Sequence, residues 1–409
     1  MSKIKIKNFG PIKEGLTKND GFIDIKKVTV FIGYQATGKS TIVKIYSTLT
    51  WLEKALYRED IKESDIIGYN RFINKFCAYQ GLKTYFNKNT YIKYLGDSYT
   101  FEYVNEKISI IKNKNKYLAP KIMYIPAERN FLSLVDNPEK LKQLPLHLYT
   151  FLEEFEKSKK YNSTAITLPI NNISFEFQKQ NKISYIKGID YKIKLSEASS
   201  GIQSLLPIYL VSKFLSQSIN KESDNGKKML SVEEHTKLKR EVKKILKNDK
   251  LSDELKEASL ELLSSSFKNA CFINIVEEME QNLFPESQKQ LLYSLLEFAN
   301  ISKGNKLLLT THSPYIINYL TLAIKGDSIL NKIATNEKLK SKLETILPIK
   351  SCINGDDTII YELKTDGSIE ILSTYNNLPS DENYLNMFLE ETNDDFNQLL
   401  DIEDELYAD

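Results

Sequence analysis

Eight consecutive residues, Gly33-Tyr34-Gln35-Ala36-Thr37-Gly38-Lys39-Ser40, spell G-x-x-x-x-G-K-S. A loop of this kind turns successive backbone N–H groups toward a triphosphate at the positive end of a helix. Lys39 then reaches the β- and γ-phosphates, and the Ser40 hydroxyl sits on Mg²⁺. The nucleotide-contacting set on this reading is Gly33, Gln35, Ala36, Thr37, Gly38, Lys39, Ser40 and Thr41, with ATP and Mg²⁺ as the cofactors. Far along the chain, the apolar run Phe272-Ile273-Asn274-Ile275-Val276 ends in Glu277-Glu278. Two adjacent carboxylates at a strand end suit a division of labour, with Glu277 holding Mg²⁺ through water and Glu278 orienting or deprotonating the attacking water. Taken alone, the pair is also compatible with a solvated strand end. Later, Leu307-Leu308-Leu309-Thr310-Thr311 runs into His312-Ser313-Pro314, where His312 can contact the γ-phosphate and help place the water. Between these pieces, Ser199-Ser200-Gly201 opens an apolar helical stretch. It reads either as an anion site at a helix start or as an ordinary serine cap.

The elements that must position these residues are legible from hydrophobic periodicity. Val28 to Ile32 reads as a buried strand, and Ile42, Ile45, Tyr46 and Leu49 recur at helical spacing in a helix reaching about Tyr57. A charged helical stretch is expected to about Lys88. Tyr91–Leu95, Tyr99–Val104 and Ile108–Ile111 read as short antiparallel strands, and Ile122–Ile125 as a buried strand leading into Pro126-Ala127-Glu128-Arg129. Residues 137–158 are expected to be helical, 165–195 to return to strands, and a helix to follow Ser200. In the Lys/Glu-rich stretch 218–268, Leu238, Val242, Ile245 and Leu246 form a narrow apolar stripe amid lysines, within an expected helix over 236–250 that reads as a solvated face before it reads as a phosphate contact. Thr358–Leu363 and Ser368–Leu372 flank Thr365-Asp366-Gly367, a hairpin signal, with Asp356 and Asp357 as turn residues before it. Strands alternating with helices around a phosphate loop imply a mainly parallel α/β sheet.

Composition narrows the function classes. The chain has 409 residues, 41% hydrophobic and 27% charged, with a net charge of only +2, so nucleic-acid contact would need a local patch. Its three cysteines, Cys77, Cys271 and Cys352, lack C-x-x-C spacing and argue against a disulfide framework or a zinc site. With no signal peptide before the first strand and no apolar run near 18 residues, the expectation is a cytoplasmic protein with no membrane partner.

The order of these motifs, phosphate loop, Ser-Ser-Gly helix start, Glu-Glu strand end and Thr-His-Ser strand end, resembles that of the ABC-type ATPases over most of residues 1–320. The finer resemblance is to the non-transporter branch that includes SMC, RecF and RecN proteins and the OLD-like AAA-family ATPases. It is carried by Ile6-Lys7-Asn8-Phe9-Gly10-Pro11-Ile12, by Ile125-Pro126-Ala127-Glu128-Arg129, by Ser199-Ser200-Gly201, by Glu277-Glu278-Met279-Glu280-Gln281-Asn282-Leu283-Phe284-Pro285 and by Thr311-His312-Ser313-Pro314. Ile202, Met279 and Glu277 depart from the pattern of relatives, but none removes a charge or ligand the mechanism needs. The resemblance implies a P-loop NTPase with ABC-ATPase head architecture: a mainly parallel sheet, an antiparallel β subdomain and helical insertions. It also implies that two copies pair face to tail, so that Ser199, Ser200 and Gly201 contact the partner's ATP, with Lys39, Glu278 and His312 as the catalytic group and Ser40 and Glu277 as the metal group.

Five segments follow: 1–130, the N-terminal half of the head; 131–217, a helical arm, strands and the signature; 218–268, a helical insertion; 269–330, the C-terminal half; and 331–409, an α+β extension with an acidic tail. Residues 315–409 lack the Glu and Asp-x-Asp arrangement of a Toprim nuclease. The chain therefore resembles ATPase subunits of bacterial anti-phage systems of the Septu or PARIS type, which act with a separate effector such as a nuclease or toxin. A DNA-repair or DNA-structuring ATPase of the RecF/SMC kind is the alternative. Beyond a second copy of itself, the expected partners are an effector protein and DNA or a phage product. The acidic C-terminal helix, with Phe396, Leu399 and Leu400 near helical spacing, reads as a solvated terminal helix or as a docking helix for a basic partner.

Overall fold

A computed structural model describes residues 2–135, 143–161, 164–220, 240, 242–243, 269–333 and 336–407. The chain opens with β1 (Lys3–Lys7), β2 (Gly15–Leu16), β3 (Ile23–Asp24) and β4 (Val28–Gly33), the last buried at every position. Helix α1 (Lys39–Tyr57) begins inside the phosphate loop. The charged helical stretch expected to Lys88 is interrupted: Ser64–Ile67 and Phe72–Cys77 are helical, but a break separates them. Gly68 takes an extended conformation, and Tyr69 and Asn70 both have φ of 53°, which no α-helix accommodates. Strands β5 (Tyr91–Leu95), β6 (Tyr99–Val104) and β7 (Lys107–Lys112) follow, then β8 (Pro120–Ile125). Helix α2 (Leu146–Tyr161) starts after Pro145, later than the expected 137; residues 136–142 lie outside the described residues. Strands β9 (Ile166–Thr167), β10 (Ser174–Gln178), β11 (Ile183–Lys187) and β12 (Lys192–Lys194) lead into α3 (Ser200–Asn220). The lysine-flanked stripe over 236–250 falls almost wholly outside the described residues. The elements that position the site follow as β13 (Cys271–Glu277), α4 (Pro285–Asn300), β14 (Lys306–Thr310), α5 (Pro314–Ile333), β15 (Thr358–Leu363), β16 (Ser368–Ile371) and α6 (Tyr384–Tyr407).

Three sheets carry the fold. The central one has seven strands in the order β2-β16-β15-β4-β14-β13-β8, and its run from β15 to β8 is parallel throughout. Such strands are covered on both faces, which is why β4, β13 and β14 read as near-continuous apolar runs. Alternation divides their side chains. Val28, Val30, Ile32, Phe272, Val276, Leu307 and Leu309 pack with the faces of α2 to α5. Phe31, Ile273, Ile275 and Leu308 pack on the other side against Ile42, Ile45, Tyr46 and Leu49 of α1. An antiparallel sheet β3-β1-β5-β6-β7 flanks the α1 side, and a smaller one, β12-β11-β10-β9, precedes α3. The hairpin β15–β16 joins the central sheet directly beside β4, with Leu363 paired to Gly33. Asp356 and Asp357 lie in the turn before β15, where the sequence places them. Among the described residues, no helix is long and apolar enough to cross a membrane.

Candidate nucleotide-binding active site

Parallel strands deliver their C-terminal ends to one edge, and in open α/β sheets that edge is where ligands bind. Here the register brings four segments together. Glu277 pairs with Thr310, Thr310 with Phe31, and Val276 with Ile125. The phosphate loop, the Pro126 turn, Glu277-Glu278 and Thr311-His312 are therefore neighbours on one rim, although up to 281 residues separate them in sequence order (Phe31 to His312).

The loop's backbone demands its glycines. Gly33 has φ of 137°, and a Cβ there would lie 2.3 Å from the Leu363 carbonyl oxygen. Gly38 has φ of 105° and caps α1 from the left-handed region. Ala36 also has a positive φ, 61°. Thr37 Oγ1 donates to the Tyr34 carbonyl at 2.9 Å and tightens the turn. Tyr34, Gln35 and Ala36 are exposed at the tip, while Gly33, Thr37, Gly38, Lys39 and Thr41 are buried. Lys39 Nζ donates to the carbonyls of Gly33 and Tyr34 at 2.8 and 2.5 Å. Burial lowers its pKa to about 8, opposed by the charges of Glu278, Glu280 and Glu277.

Glu277 is 3% exposed, and its Oε1 is buried without a hydrogen bond. Burial raises its pKa; Lys44, Tyr124 and Ser40 act in the opposite direction. A desolvated carboxylate oxygen with an unused lone pair, facing a serine hydroxyl, is the donor set a hard divalent cation takes when phosphates complete its shell. The residues thus fit Mg²⁺, with Ser40 and Glu277 as the groups that would hold it.

Glu278 has φ of 43°, a left-handed conformation that a glutamate adopts only when its surroundings impose it. Its N–H donates to the Thr310 carbonyl at 3.0 Å, and one carboxylate oxygen lies 3.7 Å from His312 Nε2. Burial, and then the Lys39 charge, lower the His312 pKa below its ordinary value, against the opposing charge of Glu278. The backbone at His312 is held by a residue that the sequence placed only within a motif. Glu280 Oε1 accepts the His312 N–H at 2.6 Å, and burial raises the Glu280 pKa. Its position as the third acid of Glu277-Glu278-Met279-Glu280 was the one available signal.

The structure thus brings Lys39, Ser40, Glu277, Glu278 and His312 into one site. Ser199, Ser200 and Gly201 lie at the start of α3. Ser199 and Ser200 are exposed at the start of α3, and a Cβ on Gly201 would lie 2.8 Å from the Asn282 carbonyl oxygen. Gln203 Nε2 pins the preceding turn through the Leu195 and Ser196 carbonyls. Among the described residues, no hydrogen bond links Ser199, Ser200 or Gly201 to the phosphate loop.

With this geometry in hand, the family described as AAA ATPase domain (AAA_15) matches residues 254–317, the stretch that holds the Glu277-Glu278 strand end and the Thr311-His312 switch. No curated protein matches the chain in sequence. In three dimensions the chain is similar to the SMC head domain from Thermotoga maritima (10% identity, 91% of this chain and 98% of that chain, TM-score 0.38). It is also similar to an Smc head with an extended coiled coil bound to the C-terminal domain of ScpA, derived from Pyrococcus furiosus (9% identity, 98% and 100%, TM-score 0.37). A third similar structure is a dimeric post-hydrolysis ATP-binding cassette bound to ADP and Pi (10% identity, 92% and 100%, TM-score 0.31). The strand order, the loop and the acidic strand end define a P-loop fold with a mainly parallel sheet, part of which matches an AAA ATPase domain.

Proposed function

We propose that this chain binds and hydrolyses ATP as a head-to-tail dimer, and that it is the sensor or regulatory subunit of a cytoplasmic bacterial anti-phage system that controls a separate effector such as a nuclease or toxin. The observation that carries the pairing is the split site. Lys39, Ser40, Glu277, Glu278 and His312 share one rim, while Ser199 and Ser200 at the start of α3 are exposed and the helix start is tied to other segments. A helix start with free N–H groups is an anion site, and a second copy's triphosphate is the anion this reading supplies. Within each head, Lys39 neutralises charge on the phosphates, and Glu278 takes the proton of the attacking water while His312 helps to place it. Mg²⁺ held by Ser40 and Glu277 would supply further charge neutralisation.

Ser200→Arg tests the pairing, since it puts a long cationic side chain at the exposed helix start without touching the phosphate loop. The variant is expected to bind ATP with unchanged affinity yet remain monomeric by native mass measurement at saturating ATP. An ATP-dependent dimer of Ser200→Arg equal to the parent's would remove the trans contact.

Support for effector control comes from α6. Its first turn grips the nucleotide loop: Tyr34 packs edge-on against Tyr384 and Phe388, with ring centroids 5.8 and 5.1 Å apart. Beyond that clasp the helix bears acidic residues and no Lys or Arg, with Phe396, Leu399, Leu400 and Ile402 exposed. An acidic helix with bare apolar side chains suits a basic docking partner. Deleting residues 390–409 preserves the clasp, so turnover is expected to persist while co-purification with the product of a neighbouring gene is lost. Undiminished co-purification would dismiss α6 as the dock. ATP turnover rising several-fold on adding DNA would favour the RecF/SMC-type alternative instead.

A further inference from the structure

Arg129 is the largest fully buried side chain among the described residues, and the mechanism above does not use it. It stands in the short turn Ala127–Asn130 that follows β8. A buried guanidinium is costly unless its donors are satisfied, and a carboxylate is its common partner. Here it bonds only backbone carbonyls. Nη1 donates to Pro126 O at 3.1 Å and to Glu277 O at 2.7 Å, Nη2 to Glu278 O at 2.7 Å, and Nε to Ser204 O at 3.2 Å.

Two of these bonds bear directly on Glu278. The peptide before its Cα is held at both ends, by Arg129 on the Glu277 carbonyl and by Thr310 O on the Glu278 N–H. The peptide after its Cα is held by Arg129 on the Glu278 carbonyl. With both flanking planes fixed, φ and ψ of Glu278 are set together, and this is what sustains the left-handed φ of 43° that aims its carboxylate toward His312. The rigid planar fork of arginine can do this; the single ammonium of lysine cannot span the same carbonyls.

Of the other two bonds, the one from Nε reaches α3. Ser204 is one turn beyond Ser200, and α3 contains Pro207, which has no N–H to give the Gln203 carbonyl. That freed carbonyl is taken by Ser133 Oγ at 2.9 Å, next to the bond that Arg129 makes with Ser204 O. A further tie runs from Asn282 Nδ2, in the turn after Glu278, to Ser204 Oγ at 3.1 Å. The start of α3 and the backbone of Glu278 are therefore joined through one guanidinium and one amide, with no intervening loop.

We propose that Arg129 is a positioning residue that couples the two nucleotide sites of the dimer: engagement of the partner's triphosphate by the start of α3 is relayed through Ser204 to the backbone of Glu278, which serves this chain's own ATP. The inference rests on the head-to-tail reading above. It goes beyond that reading by assigning communication between the sites to a specific side chain.

Arg129→Lys keeps a cation in the pocket while giving up most of the fork. The expected result is ATP affinity and ATP-dependent dimer mass equal to the parent's, kcat lower by at least about tenfold, and a Hill coefficient for turnover that falls from above 1 to 1. A role in stability alone would lower the melting temperature and the active fraction, leaving kcat per bound nucleotide and the Hill coefficient unchanged; that outcome overturns the proposal. If Arg129→Lys does not fold, Asn282→Gly decides. It removes the parallel tie while suiting the φ of 61° at that position, and it is expected to lower kcat about threefold with affinity unchanged. Unaltered kcat and Hill coefficient in Asn282→Gly would then overturn the proposal. Failure of the parent protein to hydrolyse ATP or to pair would instead sink the function on which the inference rests, so the two failures are distinguishable.

Discussion

Glu278→Gln is expected to bind ATP as tightly as the parent, to hydrolyse it about 10²- to 10⁴-fold more slowly, and to accumulate as a dimer that native mass measurement detects. The substitution preserves size and both backbone tethers, those to Thr310 and Arg129, and removes only the basicity of the side chain. Binding survives because Lys39 and the loop amides hold the phosphates. Turnover falls because an amide cannot accept the water's proton. Loss of the hydrolytic step should trap the paired state, so dimer mass rises as rate falls. Wild-type turnover in Glu278→Gln would reassign the base, with His312 as the next group to test.

Lys39→Ala carries the other large expected effect, a loss of ATP affinity on the order of 100-fold, because charge-assisted bonds to two phosphates disappear together. The same residue predicts a pH dependence whose sign can be worked out. In the free protein its pKa is about 8, depressed chiefly by burial. A bound triphosphate adds negative charge beside it and raises that value. Between the two values the complex holds a proton that the free protein has released. ATP affinity should therefore be flat below about pH 8 and should weaken as pH rises above it. Calorimetric titrations in buffers of differing ionisation heat should detect net proton uptake near pH 8.5 in the parent and none attributable to this site in Lys39→Ala. Affinity independent of pH from 7 to 9.5 would contradict the burial-driven shift.

Much of the site was written in local pattern. The phosphate loop needs eight contiguous residues, and its glycines are dictated by steric demands at Gly33 and Gly38 that no other residue type meets. The strand ends at Glu277 and His312 were readable because fully buried parallel strands leave continuous apolar runs that stop where the polar chemistry begins. Helix α1, hairpin β15–β16 and strands β5 to β7 followed from periodicity and turn residues in the same way. Periodicity failed over residues 58–88, where left-handed Tyr69 and Asn70 interrupt a charged helical pattern; backbone strain of that kind leaves no period to read.

The amino-acid order by itself determined which groups could do the chemistry: a lysine and a serine on a glycine-framed loop, paired glutamates and a histidine at strand ends. Only the tertiary structure decided that these ends lie side by side, because adjacency across β8, β13, β14 and β4 is a matter of strand order and register, which depends on long-range pairing. It alone placed hairpin β15–β16 against the phosphate-loop strand. It alone turned Arg129 from a charged residue after a strand into a fully buried clamp on the Glu277 and Glu278 carbonyls. A guanidinium that bonds backbone leaves no signature in its partners' side chains, so no sequence pattern could have announced it.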